Sequence, residues 1–306
     1  WRYHPRPSDQ DVSVTVVQVV ALRAANNAEI PIPQSTFDRA IAYIKSCADP
    51  RGGFGYKNRS RRTAMTAAGI LSLQLAGNYN DPTIGEDLLK VFQHNGIRTT
   101  IVGDECCCGM PKLELGDLES VDSAKKLNIP ALARLVDEGW DIIGPIPSCV
   151  LMFKQELPLM YPDDAEVLKV RDAFYDPYEY LISRHKDGLV LTDFKNKLGT
   201  IAYQVACHQR VQNIGLKTRD VLEWVPETKV IVIERCSGHD GTYAVKKEFH
   251  KLAAKIAGPV VKRLDGVAPD YFTSDCVMAA EHIANFSSTT PKTHNPMTLL
   301  RIAYGI

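Results

Sequence analysis

The sequence carries no excess of charge of either sign and no apolar run long enough to span a bilayer. Its 306 residues include 36 Lys and Arg against 36 Asp and Glu, so the formal net charge is zero. No dense run of Lys or Arg occurs, which argues against nucleic acid or an anionic membrane as a partner. The most apolar stretches, VSVTVVQVVAL and WDIIGPIPSCVLMF, are short and interrupted by polar residues or proline, so no transmembrane segment is predicted.

Several catalytic and targeting signatures are also missing. The sequence has no Gly-x-Gly-x-x-Gly fingerprint, so we do not expect it to bind flavin, and no Ser-His-Asp or paired-carboxylate constellation stands out. It begins at Trp1 with neither Met nor a signal-like segment, which predicts a fragment or a processed product. Eight cysteines without a secretion signal, three of them adjacent, favour metal binding in a reducing cytoplasm over a disulfide framework.

Residues 1–77 are predicted to be all helical. Helical periodicity covers 11–28 and 35–49, and after the glycine turn GGFG at 52–55 a third helix is predicted from RRTAMTAAGILSLQLAG. This stretch resembles the prenyltransferase and squalene-cyclase repeat family, whose helical repeats carry such a turn. The family's Asp-x-Asp-Asp acid motif is absent and fewer than two helix pairs fit, so we expect a structural remnant or docking module rather than a cyclase.

From about residue 78 the pattern changes to short apolar strands separated by helical segments. The predicted strands are residues 97–104, 140–148, 200–207, 229–236 and 269–276. Alternation of this kind is typical of a parallel sheet with helices on both faces, so the predicted fold class is α/β.

Cysteines recur at matching places in two parts of this region. A predicted strand precedes Cys107, and 129 residues later another precedes Cys236; Cys149 and Cys276 are 127 residues apart. The nearly equal offsets indicate a duplication. Cysteines that follow strands should meet at the carboxyl edge of the sheet, where ligands bind in open parallel sheets.

The motifs CCGMPKLELGD, PSCVLMF, ACHQRVQNIGLKTR, ERCSGHDG and SDCVMA resemble the cysteine-rich CCG domain found in subunits of heterodisulfide reductase and of anaerobic glycerol-3-phosphate dehydrogenase. The resemblance covers 78–306 and implies two Rossmann-like halves, 78–199 and 200–306, each with a metal site. It implies ligands for the first site at Cys107, Cys108 and Cys149, with Cys106 as a further candidate. For the second site it implies Cys207, Cys236 and Cys276.

The chain departs from that family pattern at both sites. The first site lacks its leading cysteine, because the expected spacing falls on Leu75 or Asn78, and we interpret the chain as a fusion of two unrelated fragments. The second site has Ser237 where the paired cysteine would stand. The candidates for a fourth ligand there are His208, His239 and Asp275. Three cysteines and one histidine also describe a closed zinc site, so iron–sulfur, zinc and purely thiol chemistry all stay open.

The resemblance implies an iron–sulfur oxidoreductase or electron-transfer subunit, with a cluster of the 4Fe-4S type. Its expected partners are a flavin-bearing dehydrogenase or ferredoxin-type protein, and a quinone or disulfide acceptor. The expected location is the cytoplasm, including the inner face of the membrane as a peripheral subunit. The alternatives are a non-catalytic, zinc- or thiol-stabilised interaction protein and, less favoured, a terpenoid-cyclase-like protein.

Overall fold

The architecture, taken from a computed structural model, combines helices with short parallel strands. The residues that the structure describes are 11–27, 32–47, 82–102, 106–239, 244, 246–289 and 292–306. The chain divides into two compact units, Trp1–Pro82 and Thr83–Ile306. None of the described helices combines the length and the apolar content needed to cross a membrane.

Two helices are described in the first unit, α1 (Val12–Asn27) and α2 (Gln34–Ser46). The Asp11 carboxylate accepts a hydrogen bond from the Val14 N–H at 2.9 Å, which satisfies a free donor of the first turn of α1. Cys47 ends α2 and is buried against Val12 and Tyr43, as expected for a small core residue. The predicted GGFG turn and third helix lie outside the described residues.

The second unit begins with helices that surround a small parallel pair of strands. The elements are α3 (Pro82–His94), α4 (Met110–Leu113), α5 (Leu118–Asp137), β1 (Ile142–Ile143), α6 (Pro147–Leu151), a π-helical turn (Met152–Glu156), α7 (Leu157–Met160), α8 (Ala165–Ala173), β2 (Phe174–Tyr175) and α9 (Pro177–Lys186). Strands β1 and β2 are parallel, with Ile142 opposite Phe174. Their core is formed by buried apolar side chains of α5, α6 and the π-helical turn.

A four-stranded parallel sheet follows, in the order β4-β3-β5-β6. The elements are β3 (Gly199–Gln204), α10 (Cys207–Arg210), α11 (Lys217–Leu222), β4 (Thr228–Ile233), a 3-10 turn (Lys247–Phe249), α12 (His250–Val267), β5 (Tyr271–Ser274), α13 (Val277–Phe286), β6 (Lys292–Thr293) and α14 (Pro296–Tyr304). In the central strand β3, Ile201 and Tyr203 face one core and Ala202 faces another. Helices α12 and α13 pack on the Ala202 side, and α9, α11 and α14 pack on the other.

The predicted mixed α/β fold with parallel sheets is therefore confirmed. The strand predicted at 97–104 is wrong for its described part, because 97–102 adopts no strand and Ile101 is 72% exposed. An apolar and β-branched run forms a strand only where a neighbouring strand and a core face are available. The predicted strand at 140–148 is reduced to Ile142–Ile143, because Pro147 starts a helix. The duplication and the helical-repeat resemblance stay predictions.

Candidate metal centre

The first group of thiols lies where the run Cys106–Cys108 enters α4. Gly109 precedes this helix with φ +94°, a backbone conformation that glycine adopts without steric cost. Cys108 is 7% exposed and packs in the core, where its thiol interacts with those of Cys107 and Cys149. The structure therefore brings together three of the cysteines predicted for the first site.

Neighbouring thiols and burial raise the pKa of Cys107 and of Cys108. The hydrogen bond with Cys108, followed by burial, raises the pKa of Cys107 far above its ordinary value. For Cys108, the hydrogen bond with Cys107 lowers the pKa, but the hydrogen bond with Cys149 and burial raise it to about 12. A metal centre binds thiolates, so its binding here must release protons.

An asparagine that the sequence analysis missed holds the backbone of the cysteine run. Asn128 lies in α5, and its Oδ1 accepts a hydrogen bond from the Cys106 N–H at 3.1 Å. Its Nδ2 donates to the carbonyl oxygens of Cys106 at 3.4 Å and Cys107 at 3.2 Å. The side chain is 5% exposed and shares the apolar face of α5 with Val121 and Leu132. A polar residue on that apolar face is the sequence signal that would have found it.

The register of the large sheet brings the second group of thiols together. Gln204 at the end of β3 is opposite Ile233 of β4 and Ser274 of β5. Cys207 and Cys236 each follow this paired position by three residues, and Cys276 follows Ser274 by two, so all three come just after the carboxyl ends of neighbouring strands. The hydrogen bond from the Val205 N–H to the Ile233 carbonyl, 3.2 Å long, extends the β3–β4 ladder toward the cysteines.

The three thiols of this second group interact electrostatically. Burial, followed by the negative charge and hydrogen bonding of Cys236 and then the charge of Cys276, raises the pKa of Cys207. Cys207 and Cys236 are exposed, whereas Cys276 is half-buried. The structure thus places Cys207, Cys236 and Cys276 in one neighbourhood.

Backbone N–H groups point at two sulfur atoms of the second group. The Gly238 N–H donates to Cys236 Sγ at 3.4 Å. Cys276 is the N-cap of α13. Burial raises the pKa of its thiol, and hydrogen bonds from the backbone of Ala279 and Met278 act in the opposite direction. N–H donors of this kind stabilise thiolates and cluster sulfur.

A buried polar layer lies directly below the second group. Asp275, 3% exposed, accepts hydrogen bonds from the hydroxyls of Tyr203 and Thr218. Asp176 at the N-terminus of α9 accepts from the Gln209 amide at 3.3 Å. Burial and the negative charge of Asp275 raise the pKa of Asp176 to about 7. Both oxygens of Asp275 accept hydroxyl hydrogen bonds, one from β3 and one from α11. Because Asp275 directly precedes Cys276, these bonds support the loop that carries this cysteine.

The two groups of thiols are connected by polar contacts. His208 Nε2 lies 3.2 Å from Glu114 Oε1, just after α4. The Gln212 amide donates to the Pro147 carbonyl at 3.2 Å, and the Gln155 amide donates to the Gln212 carbonyl at 3.1 Å. These contacts join the loop of Cys207 to the elements that carry Cys108 and Cys149.

The two candidate histidines of the second group have different neighbours. His208 pairs with Glu114, and the ring of His239 lies 6.0 Å from that of His282, measured between centroids. Within the described part of the chain, no three Cys, His, Asp or Glu side chains are arranged around a point that could hold a metal ion. The thiols are gathered at each site, but the described geometry is not a closed single-ion cage.

Known proteins share the sequence around the first group of thiols. Residues 75–154 match the cysteine-rich CCG domain. The matched segment contains Cys106, Cys107, Cys108 and Cys149, so the predicted CCG resemblance is confirmed for this part of the chain.

Three relatives extend the similarity beyond that segment. One subunit of the anaerobic glycerol-3-phosphate dehydrogenase of Escherichia coli K12 is 26% identical over 225 residues, 73% of this chain and 56% of that protein. One subunit of the fumarate reductase (CoM/CoB) of Methanothermobacter marburgensis is 25% identical over 240 residues, 74% and 45% of the two chains. An uncharacterized iron–sulfur protein of Methanococcus maripaludis is 26% identical over 216 residues, 69% and 40%. The chain thus spans about half the length of these relatives.

Proposed function

We propose that this CCG-domain protein is an iron–sulfur electron-transfer subunit. The observation that carries the proposal is that Cys207, Cys236 and Cys276 each follow the carboxyl end of a neighbouring strand by two or three residues and interact with one another. The CCG match and a relative described as an iron–sulfur protein support the same kind of centre.

The donor set fits an iron–sulfur cluster. Soft thiolates suit iron in such clusters, and each cysteine binds a different iron atom, so the ligands need not converge on one point as they do around zinc. Cys207, Cys236 and Cys276 would hold a centre at the second site, and Cys107, Cys108 and Cys149 one at the first, with Cys106 as a further ligand. The candidate ligands at the second site also include His208 and His239. When bound, a cluster of the 4Fe-4S type supplies a one-electron carrier.

The protein's own residues set the environment of that carrier. The Gly238 N–H and the first turn of α13 donate hydrogen bonds to sulfur, which favours the more reduced, more negative state of a centre. Asn128 holds the backbone of Cys106 and Cys107. The apolar core behind Cys108 excludes water from one side of the first site.

The exposed side of the sites is where a partner would exchange electrons. Cys106, Cys107, Cys207 and Cys236 are all exposed, so a docked protein could approach either centre closely. We propose a flavin-bearing dehydrogenase or ferredoxin-type protein as electron donor and a quinone or disulfide as acceptor. Two relatives are named as subunits of a dehydrogenase and a reductase, which supports a role in a complex in the cytoplasm or at the inner face of the membrane.

Anaerobic reconstitution with iron and sulfide tests this function. We expect a broad visible charge-transfer absorption and a paramagnetic signal that appears or disappears on reduction. Cys236→Ala should abolish the part of both signals that comes from the second site, whereas Cys47→Ala, at a buried thiol outside both sites, should leave them intact. Stoichiometric zinc with no redox response would instead identify a zinc-braced interaction protein and overturn the proposal.

A further inference from the structure

Cys207 and Cys236 are the two thiols that follow the paired ends of β3 and β4 at the same distance along the chain. The paired ends of these strands, at Gln204 and Ile233, lie about 4.7–4.9 Å apart, and disulfides join residues whose Cα atoms are roughly 4.4–6.8 Å apart. Both cysteines follow their strands by three residues, starting from the paired Gln204 and Ile233. Their thiols already interact, and both side chains are exposed. The two thiols therefore start from adjacent strand ends, interact with each other and are accessible to a dissolved oxidant, which are the conditions that favour closing a disulfide.

The other neighbouring thiols lack either the spacing or the access that a disulfide needs. In the pairs Cys106–Cys107 and Cys107–Cys108 the Cα atoms are adjacent and about 3.8 Å apart, which is below the usual range for a disulfide, and Cys106 could pair with Cys108 only through a thiol that is 7% exposed. Cys108 also contacts Cys149, but it is 7% exposed, so a dissolved oxidant has little access to it. Cys276 is half-buried at the start of α13, with its sulfur engaged by the backbone of that helix.

We propose that Cys207 and Cys236 form a reversible disulfide when no metal centre is bound, with a low-molecular-weight disulfide as oxidant. One thiolate attacks the small disulfide, giving a mixed disulfide and releasing one small thiol. The second cysteine then attacks the protein sulfur of that mixed disulfide, closing the Cys207–Cys236 bond and releasing the second small thiol. The two cysteines lose two electrons and two protons, and the oxidant takes up both.

Formation of this disulfide protects the two thiols from further oxidation and controls whether they are available as metal ligands. A disulfide is reduced by thiols, whereas sulfinic and sulfonic acids are not recovered in the same way. The bond also removes both thiolates as ligands, so disulfide formation and metal binding at the second site exclude each other. The chemistry concerns the metal-free chain and does not rest on the proposed function.

Peptide mapping of the metal-free 306-residue chain tests the proposal. The chain is purified anaerobically, stripped with a chelator, incubated with oxidised glutathione, alkylated and cut with trypsin without reduction. Cleavage gives 198–210 with Cys207 and 236–246 with Cys236 as separate peptides, and 264–292 carries Cys276. We expect most of 198–210 and 236–246 to appear as one linked species that dithiothreitol separates.

Variants distinguish this pairing from general oxidation. Cys276→Ser should keep the 198–210 to 236–246 link, and Cys207→Ser should leave Cys236 as a glutathione adduct. Circular dichroism before oxidation verifies that each variant is folded. Separate glutathione adducts on both peptides of the unsubstituted chain, or a link from 236–246 to 264–292, would overturn the proposal. Because no metal is present, a negative result leaves the reconstitution experiment unaffected.

Discussion

Replacing Asn128 by Leu should destabilise the protein and, separately, release the backbone of the cysteine run. The amide makes three hydrogen bonds to Cys106 and Cys107, at 3.1, 3.4 and 3.2 Å. A typical hydrogen bond contributes about 0.5–1.5 kcal/mol net. Because two of the three are long and Cys106 can bind water instead, we expect a loss of roughly 1.5–3 kcal/mol. Leucine keeps a similar volume, so little of this loss comes from a cavity.

Asn95 provides a matched control within the same unit. Its side chain is also buried; it donates to the Val91 carbonyl at 2.8 Å and accepts from the Leu191 N–H at 2.7 Å, with Tyr304 as a further neighbour. Asn95→Leu should therefore cost a similar free energy of unfolding. The hydrogen bonds of Asn95 go to residues outside both groups of thiols, so this variant separates a general loss of stability from an effect on the first site.

Three measurements distinguish the two variants. Urea unfolding gives the loss of stability, which should be similar in both. In Asn128→Leu, but not in Asn95→Leu, hydrogen exchange of the Cys106 amide should become faster than the loss of stability explains. Under the proposed function, iron and sulfide content after reconstitution should fall in Asn128→Leu and stay near the unsubstituted level in Asn95→Leu. Equal losses of iron in both variants, or unchanged Cys106 exchange in Asn128→Leu, would refute the role of Asn128 as a positioning residue.

Two further predictions concern the surroundings of the second site. Burial and the nearby Asp275 raise the pKa of Asp176 from 3.8 to about 7, so the folded state holds more protons than the unfolded state between these values. The stability that this group contributes should therefore fall as pH rises from about 4 to 7. Asp176→Asn keeps the helix cap but cannot titrate, so its thermal unfolding midpoint should vary less with pH over that range. A pH profile of the midpoint equal to that of the unsubstituted chain would contradict this prediction. Gly238→Ala should cost more than about 2 kcal/mol, because a side chain there combines φ +74° with a Cβ that would clash with the Ala253 carbonyl oxygen. Gly215→Ala is the control for backbone strain alone, because Gly215 has φ +82° but no atom near the position of an added Cβ. Equal losses of stability for the two variants in urea unfolding would show that the contact with Ala253 is unimportant.

The main strands of the large sheet could be predicted from local sequence. The segments predicted at 200–207, 229–236 and 269–276 contain most of β3, β4 and β5 (Gly199–Gln204, Thr228–Ile233 and Tyr271–Ser274). Apolar, β-branched residues in short runs are typical of buried parallel strands. Each strand ends two or three residues before its cysteine, because the backbone must turn there to begin a helix or loop.

Local patterns failed where a strand needed a distant partner. Residues 97–102 have strand-like composition but lie outside any sheet, whereas Lys292–Thr293, with little apolar content, pairs with β5 as β6. Strand formation depends on hydrogen bonding to a neighbour, and a neighbour far away in sequence leaves no mark on the segment itself.

Sequence alone determined the number of thiols, their positions after strands and the soft-metal chemistry that these positions favour, because these depend on residue type and local periodicity. Only the tertiary structure decided that Cys207 and Cys236 follow paired strand ends and that Asn128, 22 residues from Cys106, holds the first cysteine run. The same holds for the electrostatic interaction between Asp176 and Asp275. Register between strands and packing between helices are set by the whole core, so these contacts arise only when distant segments are folded together.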